Sequence, residues 1–181
     1  MRAETVKALA ALLLVALAAC SSDRVETYSR SPSFRARTLA VASVLGAKGK
    51  SGEIARVLSS RLEGAGMRCV DLESSDSVLA GSALSLEAAA NPRLLAEVRR
   101  ATEAEGLVFL SLESSWRSVE VVVLDLRTGE AVLKAEGRPR GESFATAEEA
   151  AAVAAEILGG LSQERRKAAR AADSADEIPV P

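Results

Sequence analysis

The sequence predicts an α/β (α+β) fold: a mixed β-sheet of about five strands covered by helices, in the order β-α-β-(α)-α-β-β-β-α. Three observations carry that prediction. Leu39 to Leu45 is an apolar run suited to a buried strand, and a helical stripe and a second short strand follow it. That succession describes a right-handed parallel βαβ unit. Leu107 to Leu112, Ser118 to Leu126 and Ala131 to Glu136 then read as three closely spaced strands. Thr146 and Glu149 form a capping box ahead of a terminal apolar stripe.

The elements follow in order. Met1 to Lys7 carry Arg2 and Lys7 against Glu4, and Ala8 to Ala19 are 12 consecutive apolar residues. A helix of 12 residues rises about 18 Å, short of a bilayer core of about 30 Å. A basic start, a short apolar core and small residues before a cut describe a secretory signal over residues 1–19. Residues 20–37 are polar, rich in Ser and Arg and without apolar periodicity, and read as a flexible tether. The domain is expected over residues 38–161.

Within it, Gly46 to Gly52 is a turn, and Glu53 to Ala65 is a helix with Ile54, Val57, Leu58 and Leu62 on one stripe. Gly64 and Gly66 end that helix, and Met67 to Leu72 is the second strand. Ser74 to Ala90 suggests short helical turns. Asn91 and Pro92 fit an N-cap followed by proline at the first helical position. Leu94, Leu95, Val98 and Ala101 carry that helix to Glu105, with Gly106 as its stop. Asp125 to Glu130 is a hairpin turn around Gly129, and Ala131 to Glu136 alternates as a half-exposed edge strand would. Ala150, Val153, Ala154, Ile157, Leu158 and Leu161 make the last helical stripe. Residues 162–181 are a charged tail, expected to be disordered.

Composition narrows the chemistry. The 181 residues suit one medium domain. With 23 Lys+Arg against 25 Asp+Glu, the chain lacks the basic surface of a polyanion binder. There is no histidine, which removes Ser-His-Asp and Cys-His catalysis and His-ligated zinc. Aromatic residues at 3% make a stacking platform for single-stranded nucleic acid implausible. No nucleic acid, nucleotide or metal partner is expected.

The end of the signal, Leu17-Ala18-Ala19-Cys20, resembles the bacterial lipoprotein lipobox. That resemblance implies cleavage before Cys20, diacylglycerol on its sulfur and an N-acyl chain, such as palmitate, on the new amino terminus. The only expected non-protein group is this covalent lipid. Ser21 follows rather than Asp, which by resemblance to lipoprotein sorting favours the periplasmic face of the outer membrane. Cys69 is then the one remaining thiol, and its strand setting suggests a buried, inert group.

The order of motifs resembles a family of envelope proteins. These are the curli-secretion lipoprotein CsgG, the penicillin-binding-protein activator lipoproteins and the amino-terminal domain of TolB-like proteins. The residues that carry it are Leu39-Ala40-Val41, Arg61-Leu62-Glu63 through Val70-Asp71-Leu72, Ala101 to Ser111, and Leu124 through Thr128-Gly129-Glu130. The resemblance implies a cell-envelope, protein-binding role without catalysis. Loops at Glu73 to Ser82 and Glu113 to Arg117 are too short for two membrane-spanning strands of about 9–11 residues each. Two readings follow. One is a lipid-anchored accessory or assembly lipoprotein that binds an envelope protein partner. The other is a homo-oligomeric, secretion-associated component without spanning hairpins.

Four residues stand out as contacts for a partner. Lys48 and Lys50 lie in Gly46-Ala47-Lys48-Gly49-Lys50-Ser51, between a strand and a helix. A phosphate-binding loop would need another glycine where Val44 stands, so a basic turn or a partner contact is the reading. Trp116 and Arg117 lie in the turn after the third strand, as a packed cap or as an interface anchor. Asp71, Glu73 and Asp76 follow the second strand and read as turn acids.

Overall fold

The computed structural model describes residues 24–72, 86, 89 and 91–162. They form a six-stranded mixed sheet with three helices, in agreement with the predicted class. The strands are β1 (Val25–Arg30), β2 (Thr38–Leu45), β3 (Arg68–Asp71), β4 (Gly106–Leu112), β5 (Val119–Asp125) and β6 (Ala131–Gly137). The helices are α1 (Ser51–Gly64), α2 (Pro92–Thr102) and α3 (Ala147–Gly159). The spatial order is β1-β6-β5-β4-β2-β3. β2 runs parallel to both β3 and β4, and every other neighbouring pair is antiparallel.

The βαβ unit β2-α1-β3 is present as expected, because each piece carries its own signal. α1 buries Ile54, Leu58 and Leu62 along one stripe. Its chain reverses through Gly66, where the Met67 amide donates to the Leu62 carbonyl at 2.9 Å. α2 begins as read: the Asn91 side chain accepts from the Arg93 amide at 3.0 Å, with Pro92 behind it. Its end differs. Glu103, in the left-handed region at φ 56°, closes the helix by donating its amide to the Arg99 carbonyl. Gly106 instead opens β4. α3 starts on the capping box, with Thr146 Oγ1 accepting from the Glu149 amide at 3.1 Å. The Glu149 carboxylate reaches back to the Ala145 amide at 3.0 Å.

The sheet separates two cores. α1 and α3 lie together on one face, over Leu39, Val41, Val121 and Val123. α2 lies on the other, with Leu95 and Val98 against Ala40, Leu107, Phe109 and Leu124. Each fully buried aliphatic side chain in these clusters contributes about 1.5–3 kcal/mol through burial. α2 covers the part of its face formed by β2, β4 and β5. Beyond it, Tyr28, Ser111, Glu120, Lys134 and Glu136 border an open concavity.

Two expectations fail at the other side of the sheet. The stretch read as a flexible tether over residues 20–37 contains β1, whose Val25 pairs with Gly137 and Arg30 with Leu133. Phe34 and Ala36 are buried as well, and Ala36 bridges to Ser162. The ordered unit therefore begins well before residue 38. For the same reason β6 is not an edge strand: β5 pairs on one side of it and β1 on the other. The cause is physical. β1 adds to the sheet through its backbone, and its side chains, apart from half-buried Val25, face solvent. Such a strand leaves no apolar pattern to read. The signal segment, Cys20, most of Glu73 to Ala90 and the tail beyond Ser162 lie outside the described residues.

Candidate functional site

Strand registers fix where each candidate residue sits. Val25 pairs with Gly137, Gly137 with Val119, Val119 with Leu112, and Ser111 with Leu45. One end of the sheet therefore gathers the start of β1, the β2–α1 turn, the β4–β5 turn and the end of β6. All four described candidates, Lys48, Lys50, Trp116 and Arg117, lie at this end. The first described residue, Arg24, lies there too, its carbonyl accepting from the Arg138 amide at 2.8 Å.

Lys50 and Trp116 meet directly: the Lys50 ammonium stands 5.9 Å from the centroid of the indole ring. Trp116 adopts φ 58° and is half-buried against the α1–α3 core. Its amide donates to the Glu113 carbonyl, and its own carbonyl accepts from the Phe144 amide, both at 2.7 Å. It ties three loops together, which is the packed-cap reading. Its indole nitrogen is buried and makes no hydrogen bond among the described residues. Lys48 and Arg117 are exposed. The glycines of the Gly46–Ser51 loop answer to backbone shape: Gly46 and Gly49 stand at φ 74° and 82°, and the Lys50 amide donates to the Ala47 carbonyl.

The open face carries ionic groups that are already paired. Glu136 accepts from Arg138 Nε and from the Tyr28 hydroxyl, each at 3.0 Å. The Arg138 hydrogen bond holds the Glu136 carboxyl below its ordinary range. Donating to that carboxylate raises the Tyr28 phenol in turn. Lys134 Nζ lies 3.0 Å from Glu120, and Arg138 reaches Glu26 at 3.7 Å. Composition did not point to this face. The signal available was the polar set Glu120, Lys134 and Glu136 in adjacent strands, legible once their register is known.

Cys69 sits on β3 beside α1, where Ser59 Oγ donates to its carbonyl at 3.4 Å. Burial pushes its thiol up to about 11, away from thiolate chemistry. Asp71 ends β3, while Glu73 and Asp76 lie outside the described residues. Among the described residues, no group of three Cys, Asp or Glu side chains could hold a metal ion. No helix among them is long and apolar enough to cross a membrane.

The opposite end of the sheet holds a groove of about 580 Å³ between α2 and the β5–β6 turn. Its apolar floor includes Leu95 and Leu126, and Arg99, Arg100 and Arg127 line it. Arg127 is steered by Asp125, whose Oδ2 lies 3.4 Å from its guanidinium and whose Oδ1 accepts from its amide.

The fold and this site define a small mixed-sheet domain with one helix pair on one face and a half-covered second face. No family model matches the sequence, and no curated protein matches it. Among solved structures, the chain is similar to PelC from Paraburkholderia phytofirmans, in a native form and in a single-substitution variant, both dodecamers. Each is 18% identical, with a TM-score of 0.51, over 76% of this chain and 96% of that one. The likeness is one of fold.

Proposed function

We propose that this chain is a non-catalytic, homo-oligomeric assembly component of the cell envelope, held on its membrane by lipid at Cys20. The observation that carries the reading is the fold shared with dodecameric PelC over 76% of the chain. Sequence features support the rest. Leu17-Ala18-Ala19-Cys20 supports acylation and an outer-membrane address, and the absence of histidine removes imidazole acid–base chemistry. Between the two sequence-based readings, the shared fold favours the oligomer over the solitary tethered accessory. A partner protein in the envelope then binds the assembled ring.

Ordering of β1 changes the mechanics. From Cys20 to Val25 the chain spans at most about 18 Å, so the domain is held close against the lipid surface. The end bearing Lys48, Lys50 and Arg117 faces that surface, where cations favour anionic headgroups. Partners approach from the other end.

The test is native mass spectrometry of the detergent-extracted lipoprotein, with a Cys20→Ala chain beside it. The expected outcome is a discrete high-order homo-oligomer, with radiolabelled palmitate incorporated only when Cys20 is present. A monomer at every concentration that co-purifies with one distinct envelope protein would overturn the oligomer and favour the accessory reading.

A further inference from the structure

The arginine groove at the far end of the sheet belongs to neither the turn cluster nor the open face. Arg99 and Arg100 come from the last turn of α2, and Arg127 comes from the β5–β6 turn. Two separate elements thus bring three arginines to one groove that Leu95 and Leu126 also line. Arg99 and Arg100 are exposed and form no ion pair among the described residues. Arg127 pairs with Asp125 and makes no other ion pair among the described residues. The groove is therefore shaped for a segment that brings carboxylates and a few apolar side chains together.

The chain itself contains one. Beyond Ser162 it continues to Pro181, and Asp173, Asp176 and Glu177 are followed by Ile178 and Val180. Ser162, the last described residue, lies at the same end of the sheet as the groove. It bridges to Ala36, just before β2, and β2 starts beside Gly106, which pairs with Asp125. The groove lies on the other face of the sheet from α3. Crossing from one helix layer to the other requires about 20 Å, at about 10 Å per helix diameter. The stretch from Ser162 to Asp173 reaches at most about 40 Å, so the span is sufficient.

We infer that residues 173–180 dock in the groove between α2 and the β5–β6 turn of their own chain. Asp173, Asp176 and Glu177 face Arg99, Arg100 and Arg127, and Ile178 and Val180 meet Leu95 and Leu126. The docking masks a concavity with an apolar floor and a surplus of cationic groups at the end where partners approach.

The test is disulfide crosslinking in the full chain carrying Cys20→Ser and Cys69→Ser, with Ala96→Cys in the groove wall and Ala175→Cys in the tail. Oxidation is expected to give an intrachain crosslink. Arg99→Glu with Arg100→Glu should slow its formation about 10-fold at low salt and much less at high salt. Adding Asp173→Arg, Asp176→Arg and Glu177→Arg to that variant should restore it. Both arginines are exposed, so circular dichroism should show an unchanged fold. Absence of the crosslink overturns the inference. So does a rate indifferent to the charge reversals, or a crosslink formed only between chains.

Discussion

Gly46 offers the sharpest test of the loop reading. It stands at φ 74°, and a Cβ placed on it would lie 2.1 Å from the Leu112 carbonyl oxygen. Gly49, three residues on, stands at φ 82° with nothing within 4 Å of such an atom. Gly46→Ala and Gly49→Ala therefore share one cost and differ in another. An alanine in the left-handed region costs about 1–2 kcal/mol at either position. At Gly46 the methyl also collides with backbone at the end of β4, which cannot rotate aside as a side chain can. Displacing it adds about 1–3 kcal/mol, by analogy with overpacked cores. The expected losses are thus about 1–2 kcal/mol for Gly49→Ala and about 2–5 kcal/mol for Gly46→Ala. Urea denaturation of the Cys20→Ala chain, followed by far-ultraviolet circular dichroism, measures both. Equal losses within about 0.5 kcal/mol would refute the steric argument. They would also reopen the question of why glycine stands between β2 and α1.

Four further outcomes follow from named residues. Thr146→Ala should cost about 1 kcal/mol by removing the α3 cap, while Thr146→Asp should keep most of it. The raised Cys69 thiol, from 9.0 to about 11, should make iodoacetamide labelling at pH 8 about 100-fold slower in the native chain than in urea. Between those values the folded chain holds more protons than the unfolded one. Its Cys69-linked stability is therefore full below about 9 and falls as pH rises towards 11, a slope that Cys69→Ala should remove. Deleting residues 24–31 should strip β1 from β6 and leave a long edge strand open. Sedimentation should then show non-specific aggregation; a soluble species matching the full chain would return this stretch to the status of a tether.

What could be read from the sequence divides along a physical line. β2, β4, β5 and the stripes of α1 and α3 bury side chains, so their apolar patterns announce them. Asn91 and Thr146 announce helix starts because each side chain meets an orphan amide within three residues, and Pro92 because it brings no amide to the unpaired first turn. β1 is held by main-chain pairing to a strand more than 100 residues later, and backbone groups are the same in every sequence. Its one local trace is half-buried Val25.

The candidate site splits in the same way. Trp116 is visible as the only tryptophan, but its contact with Lys50 depends on two turns meeting at one end of the sheet. The arginine groove needs α2 and the β5–β6 turn side by side, and Arg99, Arg100 and Arg127 each look like ordinary solvated charges in the chain. Surfaces assembled from separate turns are where binding is built, because turns vary without disturbing the cores beneath them. A fold can therefore be legible from its buried residues while its function stays hidden. What locates the candidate surfaces here is the register of the strands, which decides which turns become neighbours.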